Sequence, residues 1–163
     1  MTGKKAGKIK SGLGTLIGNS GEHYVMAELL KRDVVAALAP RNAPGFDIIA
    51  TKDSRTVRIR VKTKSEEYDS WQWNAKKDGT VFKAPLGQDD FTVLVHLALE
   101  TPAMRFFIAP TKDIDGWLRS DFEEWLRTPG AKGQQRSETN KRRLLVMSKY
   151  EGKLSTDWET FWK

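Results

Sequence analysis

The sequence predicts a single α/β domain in which helices flank a mixed β-sheet. Its 163 residues are enough for one well-formed core but too few for two comfortable domains. Hydrophobic residues make up 39% of the chain and charged residues 30%, which is typical of globular proteins. The hydrophobic pattern runs in the order helix, three strands, polar linker, two strands and helices, and this order favours a mixed sheet with helices packed on it.

Composition excludes several classes of function. No apolar run approaches the roughly 20 residues of a membrane helix, and the N-terminus lacks the apolar segment of a secretory signal, so we expect a cytoplasmic protein with no membrane partner. The absence of cysteine excludes disulfides, thiolate nucleophiles and cysteine zinc sites. The net charge of +7 indicates nucleic acid as a partner.

Residues 1–19 are predicted to form a basic, flexible N-terminal arm, and residues 20–163 the folded domain. The arm is rich in glycine and carries no acidic residue. Such a segment gains little by burial and is free to lie along a polyanion. Its lysines are Lys4, Lys5, Lys8 and Lys10.

The first elements follow from local signals. Ser20 is predicted to cap a helix, with Glu22 in its first turn, where a carboxylate complements the helix dipole. An apolar stripe continues this helix to about residue 30. Short strands are then predicted at residues 34–39, as a buried strand, and 46–50.

Residues 56–64 alternate most clearly between apolar and basic side chains, which predicts a third strand. Its two faces carry Val57, Ile59 and Val61, and Arg58, Arg60 and Lys62. A hairpin is predicted between residues 71–73 and 81–82, then strands at 91–99 and 104–109. Beyond residue 110 the pattern predicts one broken or two short helices, a loop at 128–140, a short strand at 144–147 and a last helical turn at 157–163.

Three polar residues are candidates for chemistry because a purely structural role fits them poorly. Glu22 opens the helix, Asp47 interrupts an apolar strand, and Lys62 lies on the polar face of the third strand. Two carboxylates can hold Mg²⁺ or Mn²⁺ through oxygen. The metal lowers the pKa of a bound water, and the lysine orients or deprotonates that water, which together suits phosphodiester cleavage.

The order and spacing of three segments resemble the PD-(D/E)XK nuclease superfamily. These segments are Gly21-Glu22 at a helix start, Gly45-Phe46-Asp47-Ile-Ile, and Ile59-Arg60-Val61-Lys62-Thr63. The resemblance implies a restriction endonuclease-like core of the order αβββ…β. It also implies a Mg²⁺-dependent endonuclease acting on duplex or branched DNA, with Glu22, Asp47 and Lys62 catalytic and Asp47 and Glu22 binding the metal. A homodimer stays open.

Arg60 departs from the superfamily pattern, which places an acidic residue or glutamine two positions before the lysine. A guanidinium has no lone pair for a cation and would repel Mg²⁺. Three outcomes stay open. Glu66 or Glu67 replaces the missing carboxylate; Asp47, Glu22 and a backbone carbonyl suffice; or the protein is an inactive nucleic-acid-binding module that grips phosphate through Arg60 and Lys62.

Further nucleic-acid contacts are predicted outside these motifs. Trp71 and Trp73 fall on one face of a strand, where they either stack on bases or pack against the domain. Arg142 and Arg143 end a basic loop that is a candidate phosphate contact.

Overall fold

The computed structural model describes residues 13–40, 43 and 45–163. The helices longer than one turn are α1 (Leu13–Leu30) and α2 (Thr111–Arg127), and a short helix α3 (Met147–Tyr150) precedes the C-terminal turns. The strands are β1 (Val35–Leu38), β2 (Ile48–Lys52), β3 (Arg55–Ser65), β4 (Ser70–Asn74), β5 (Asp90–Leu97), β6 (Arg105–Pro110) and β7 (Arg142–Val146).

Five strands form the central sheet, in the order β1-β2-β3-β5-β6. β3 and β5 are parallel, and the other neighbours are antiparallel. The remaining strands, β4 and β7, pair with each other in a separate antiparallel ribbon. The predicted mixed sheet flanked by helices, with its αβββ…β core, is confirmed.

Two apolar clusters cover the two faces of the central sheet. On one face, Val25 and Leu29 of α1 and Phe161 near the C-terminus pack on Val57 and Ile59 of β3. The alternation of β3 therefore places its valines and isoleucine on one face, as predicted, and this face packs against α1. On the other face, Ile114 and Leu118 of α2 pack with Trp71 of β4 and Leu145 of β7 on Leu94 of β5.

Helix α1 extends further toward the N-terminus than the sequence predicted. It includes residues 13–19, which were assigned to the flexible arm, while residues 1–12 of that arm lie outside the described part of the chain. Ser20 is not a cap, because its hydroxyl donates to the Ile17 carbonyl oxygen at 2.7 Å within the helix. Within residues 13–40, 43 and 45–163, no helix is long and apolar enough to cross a membrane.

Three other predictions of local structure are wrong. The hairpin between residues 71–73 and 81–82 does not form, because β4 takes its partner from β7 instead. β1 is an edge strand and largely exposed, with Val35 at 76% exposure, rather than buried. The helix after residue 110 is continuous over Thr111–Arg127 rather than broken.

Candidate active site

Asp47 lies immediately before β2, at the point where the pairing of β2 with β3 ends. Its amide donates to the Ile59 carbonyl oxygen at 2.9 Å, and its Oδ2 accepts from the Val61 amide at 2.7 Å. The side chain thus takes the place of a backbone acceptor beyond the strand end and satisfies a β3 amide. This bond holds the carboxylate against β3 between Arg60 and Lys62, and Oδ1 accepts no hydrogen bond from the described residues.

Glu22 lies on α1 next to a close contact of that helix with β3. A Cβ atom added at Gly21 would meet Thr63 Oγ1 at 1.9 Å, so only glycine allows this approach. Because α1 begins at Leu13, Glu22 is in the third turn of the helix. The predicted role in complementing the helix dipole is therefore wrong, since that effect is confined to the first turn.

Glu22 and Asp47 line the same cavity, which has a volume of about 350 Å³. Asn19, His23, Ala39 and Phe46 complete much of its wall. The structure thus brings together a helix carboxylate and a strand carboxylate that are 25 positions apart in sequence (47 − 22 = 25). Lys62 does not line this cavity.

The two carboxylates fit a magnesium ion of the kind that is completed by a substrate. Mg²⁺ is usually bound by one or two carboxylates together with water and phosphate oxygens. No group of three or more histidine, aspartate or glutamate residues suited to a metal occurs among the described residues. Two carboxylates of this kind suit an ion whose remaining positions are filled by water and phosphate oxygens.

Lys62 is half-buried on β3 and close enough to Asp47 to be attracted by its charge. Its Nζ lies 5.4 Å from the centroid of the Trp73 ring. Burial lowers the pKa of Lys62 below its ordinary value, and the attraction of Asp47 offsets part of that effect. A lysine with a lowered pKa beside a carboxylate is suited to accept a proton or to balance charge on a phosphate.

Arg60 lines a different cavity, together with Arg58, Lys83 and Asp90, and is also attracted by the charge of Asp47. Its guanidinium carbon lies 5.1 Å from the centroid of the Phe82 ring. Glu66 and Glu67, the alternative metal ligands, are exposed in the turn after β3. They follow Lys62 by four and five positions, and neither lines the cavity of Glu22 and Asp47.

Three cation–π contacts lie along the basic face of β3, and the sequence did not predict them. Arg60, Lys62 and Lys64 lie beneath Phe82, Trp73 and Trp71, respectively. Lys64 is buried, and its Nζ contacts the Tyr68 carbonyl oxygen and His96 Nδ1, each at 2.6 Å. Alternating basic residues on β3 followed by the alternating tryptophans of β4 were the available signal, but their contact depends on the β4–β7 ribbon.

The other predicted nucleic-acid contacts divide into buried and exposed residues. Trp71 is fully buried and its Nε1 donates to the Val95 carbonyl oxygen at 3.0 Å, so it cannot stack on bases. Arg143 is also buried, over the Phe122 ring, with its guanidinium donating to the Asn140 carbonyl oxygen. For Trp71 the alternative of packing against the domain therefore holds, and Arg143 is part of a packed cluster rather than an exposed phosphate contact.

The remaining residues of this prediction lie at or near the surface or outside the described residues. Trp73 is half-buried between Lys62 and Phe82, and Arg142 is exposed and donates to Gln72 Oε1 at 2.8 Å. The lysines of the arm, Lys4, Lys5, Lys8 and Lys10, lie outside the described residues.

Comparison with known proteins gives structural likenesses only, since no protein-family model and no curated protein matches the chain. A bacterial homing endonuclease is 14% identical with a TM-score of 0.43, over 62% of this chain and 70% of its own. A Holliday junction resolvase from Archaeoglobus fulgidus is 16% identical with a TM-score of 0.43, over 79% of this chain and 90% of its own. Both likenesses are distant, and neither assigns a function to this chain.

Proposed function

We propose that this protein is a divalent-metal-dependent DNA endonuclease whose active site consists of Glu22, Asp47 and Lys62. The observation that carries the proposal is the shared cavity of Glu22 and Asp47, with Asp47 fixed to β3 beside Lys62. A structural ion pair is a poor alternative account, because Asp47 makes no ion pair within the described residues. The net charge of +7 suits a polyanionic substrate.

Each of the three side chains has a separate task in this proposal. Asp47 and Glu22 would hold Mg²⁺ or Mn²⁺, and the Val61 amide orients the Asp47 carboxylate by occupying Oδ2. The metal would supply polarisation of the scissile phosphate and acidification of the attacking water. Lys62, whose pKa is lowered by burial, takes the proton of that water or balances the charge that develops on the phosphate.

Nicking of a supercoiled plasmid in Mg²⁺ or Mn²⁺ tests the proposal. Asp47→Asn is a sharp variant, because the amide oxygen still accepts from Val61 while the negative charge is lost. We expect Asp47→Asn and Glu22→Gln each to reduce the rate at least about 100-fold, and chelation by EDTA to stop the reaction.

The matched control is Glu123→Gln, which removes an exposed carboxylate from α2. It is expected to cleave at the wild-type rate. Unchanged nicking by Asp47→Asn would refute the assignment of the active site.

A second candidate is a DNA-binding module on the same fold that does not cleave. Arg60 favours it, because a guanidinium occupies the position at which the sequence resemblance implies a third acidic ligand. This candidate replaces the first one if the wild-type protein binds duplex DNA in a mobility-shift titration but produces no nicks with either metal.

A further inference from the structure

A second polar cavity adjoins the one that holds Glu22 and Asp47. It has a volume of about 220 Å³ and is lined by Arg58, Arg60, Lys83 and Asp90. Phe46 contributes to the walls of both cavities, so the two lie side by side. The second cavity therefore carries three cationic side chains and one carboxylate next to the proposed active site.

The carboxylate of this cavity is already fully engaged. Asp90 is buried and accepts from Arg58 through both of its oxygens, with Nε to Oδ1 at 2.8 Å and Nη2 to Oδ2 at 2.8 Å. Its Oδ2 also accepts from the Gly87 amide at 2.6 Å. Asp90 thus pairs directly with Arg58, whereas no ion pair of Arg60 or Lys83 occurs among the described residues, and Arg60 is attracted by Asp47 and Asp90 only at longer range.

Arg60 is half-buried yet makes no ion pair with any described residue. One face of its guanidinium is covered by Phe82, and Nε is buried without a hydrogen-bond partner. Gly45, at a φ of +105°, leaves room for the guanidinium, since a Cβ there would lie 3.3 Å from Nη2. Burying an unpaired cation is costly, and a bound anion would offset that cost.

We propose that this second cavity is a phosphate subsite, in which Arg60 and Lys83 bind a DNA phosphate group adjacent to the one that is cleaved. This inference rests on the proposed nuclease function and names the substrate group that its neighbouring cavity binds. The planar guanidinium matches two phosphate oxygens, whereas Lys83 supplies a mobile point charge. The subsite also accounts for an arginine at the position where a metal ligand was expected.

Two sources of the phosphate share this chemistry, an internal phosphodiester and a terminal phosphomonoester. The test is fluorescence anisotropy of a labelled duplex with the full-length protein in EDTA, so that binding is measured without cleavage. Duplexes with and without a 5′-phosphate distinguish the two sources. The variants are Arg60→Gln, Arg60→Lys and Lys83→Gln, with Arg119→Gln as the control because Arg119 is exposed on α2 and pairs with Asp115.

We expect Arg60→Gln to weaken binding about tenfold and to reduce the slope of log affinity against log salt by about 1. Arg60→Lys should keep the salt slope and lose part of the affinity, and Lys83→Gln, at an exposed position, should also lower the slope. Arg119→Gln should bind as the wild type does. A loss confined to 5′-phosphorylated duplexes identifies a terminal phosphate, and an equal loss on both duplexes identifies an internal one.

Wild-type affinity and salt slope in both Arg60→Gln and Lys83→Gln would overturn the subsite. This outcome is separate from failure of the nuclease proposal. If the wild-type protein does not cleave but Arg60→Gln still lowers affinity and slope, the phosphate subsite stands and the catalytic assignment falls.

Discussion

Among single residues, Lys62 has the environment that most clearly links structure to chemistry. Its ammonium lies over the Trp73 ring and is attracted by the charge of Asp47. Burial has the larger effect and lowers the pKa of Lys62. At a given pH, more of Lys62 is therefore neutral than for an exposed lysine, whose pKa is about 10.4. The neutral amine is the form that can accept a proton from water.

The cleavage rate is accordingly expected to rise as the pH passes through the lowered pKa of Lys62. It should level off at a pH below the ordinary pKa of lysine, once Lys62 is neutral. Lys62→Arg keeps the positive charge but cannot accept a proton near neutral pH, so we expect a loss of about 100-fold or more at every pH. Single-turnover cleavage between about pH 6 and pH 10 measures both effects. Wild-type activity in Lys62→Arg would show that Lys62 acts only as a charge.

The same lowered pKa predicts how Lys62 affects stability. Between the folded-state pKa and the higher unfolded-state value, the unfolded chain binds more protons, so stability rises with pH across that window. The cost of burying the ammonium is thus present below the window and relieved as the pH rises through it. We expect the wild-type protein to gain stability relative to Lys62→Met as the pH rises from neutral to alkaline. Urea unfolding of both proteins across this range measures the change.

At the scale of elements, the contact of α1 with β3 sets the position of the helix carboxylate. Gly21 lies against Thr63, one residue after Lys62 on β3, and Glu22 follows Gly21 directly. The contact of the Thr63 side chain with Gly21 depends on the missing side chain of the glycine. A larger residue would move α1, and with it Glu22, away from Asp47.

Gly21→Ala is therefore expected to destabilise the fold by about 1–3 kcal/mol and to reduce cleavage, although alanine is the better helix former. Gly18→Ala is the matched control: it lies in the same helix, nothing lies within 4 Å of its added Cβ, and it should stabilise by up to about 1 kcal/mol. Urea unfolding of both variants measures these effects. Thr63→Ala should restore part of the loss in Gly21→Ala, and its failure to do so would contradict this account.

Elements with strong local patterns were predictable from the sequence, and those that depend on distant partners were not. The alternation over residues 56–64 predicted β3 and its two faces because side chains alternate along a strand. The pairing of β4 with β7 joins segments about 70 residues apart (Gln72 with Leu144), and no local signal specifies it. Because this ribbon was not predictable, the sequence pattern around Trp71 and Arg143 indicated surface residues.

The candidate site shows the same division. Asp47 was identifiable because it interrupts an apolar strand, and Lys62 because it lies on the polar face of a regular strand. Glu22 was identifiable from its place in the motif order. The direction of Arg60 was not predictable, since Phe82, which covers it, comes from the irregular segment between β4 and β5. The sequence placed Arg60 in the metal site, whereas its guanidinium lines the adjacent cavity.

At the scale of the whole molecule, the distribution of charge determines how strongly the protein attracts its proposed DNA substrate. The chain carries 28 basic and 21 acidic residues, and many of the acids of the described region are engaged in ion pairs with neighbouring lysines and arginines. Surface ion pairs of this kind add little stability. They do reduce the number of free cations on the domain, so the lysines of residues 1–12 carry a large share of the charge that is available to DNA.

Replacing Lys4, Lys5, Lys8 and Lys10 together by glutamine is expected to weaken binding to every duplex alike. Each lysine that contacts a phosphate releases a counterion from duplex DNA, which contributes about 0.9 to the slope of log affinity against log salt, so the slope should fall by up to about 3 to 4. Mobility-shift titrations on unrelated duplexes at several salt concentrations measure it. Deleting residues 1–12 should have the same effect as the four substitutions if the contribution of this segment is one of charge. A sequence-dependent loss would instead indicate that the segment reads bases, and no change would place the DNA contacts entirely on residues 13–163.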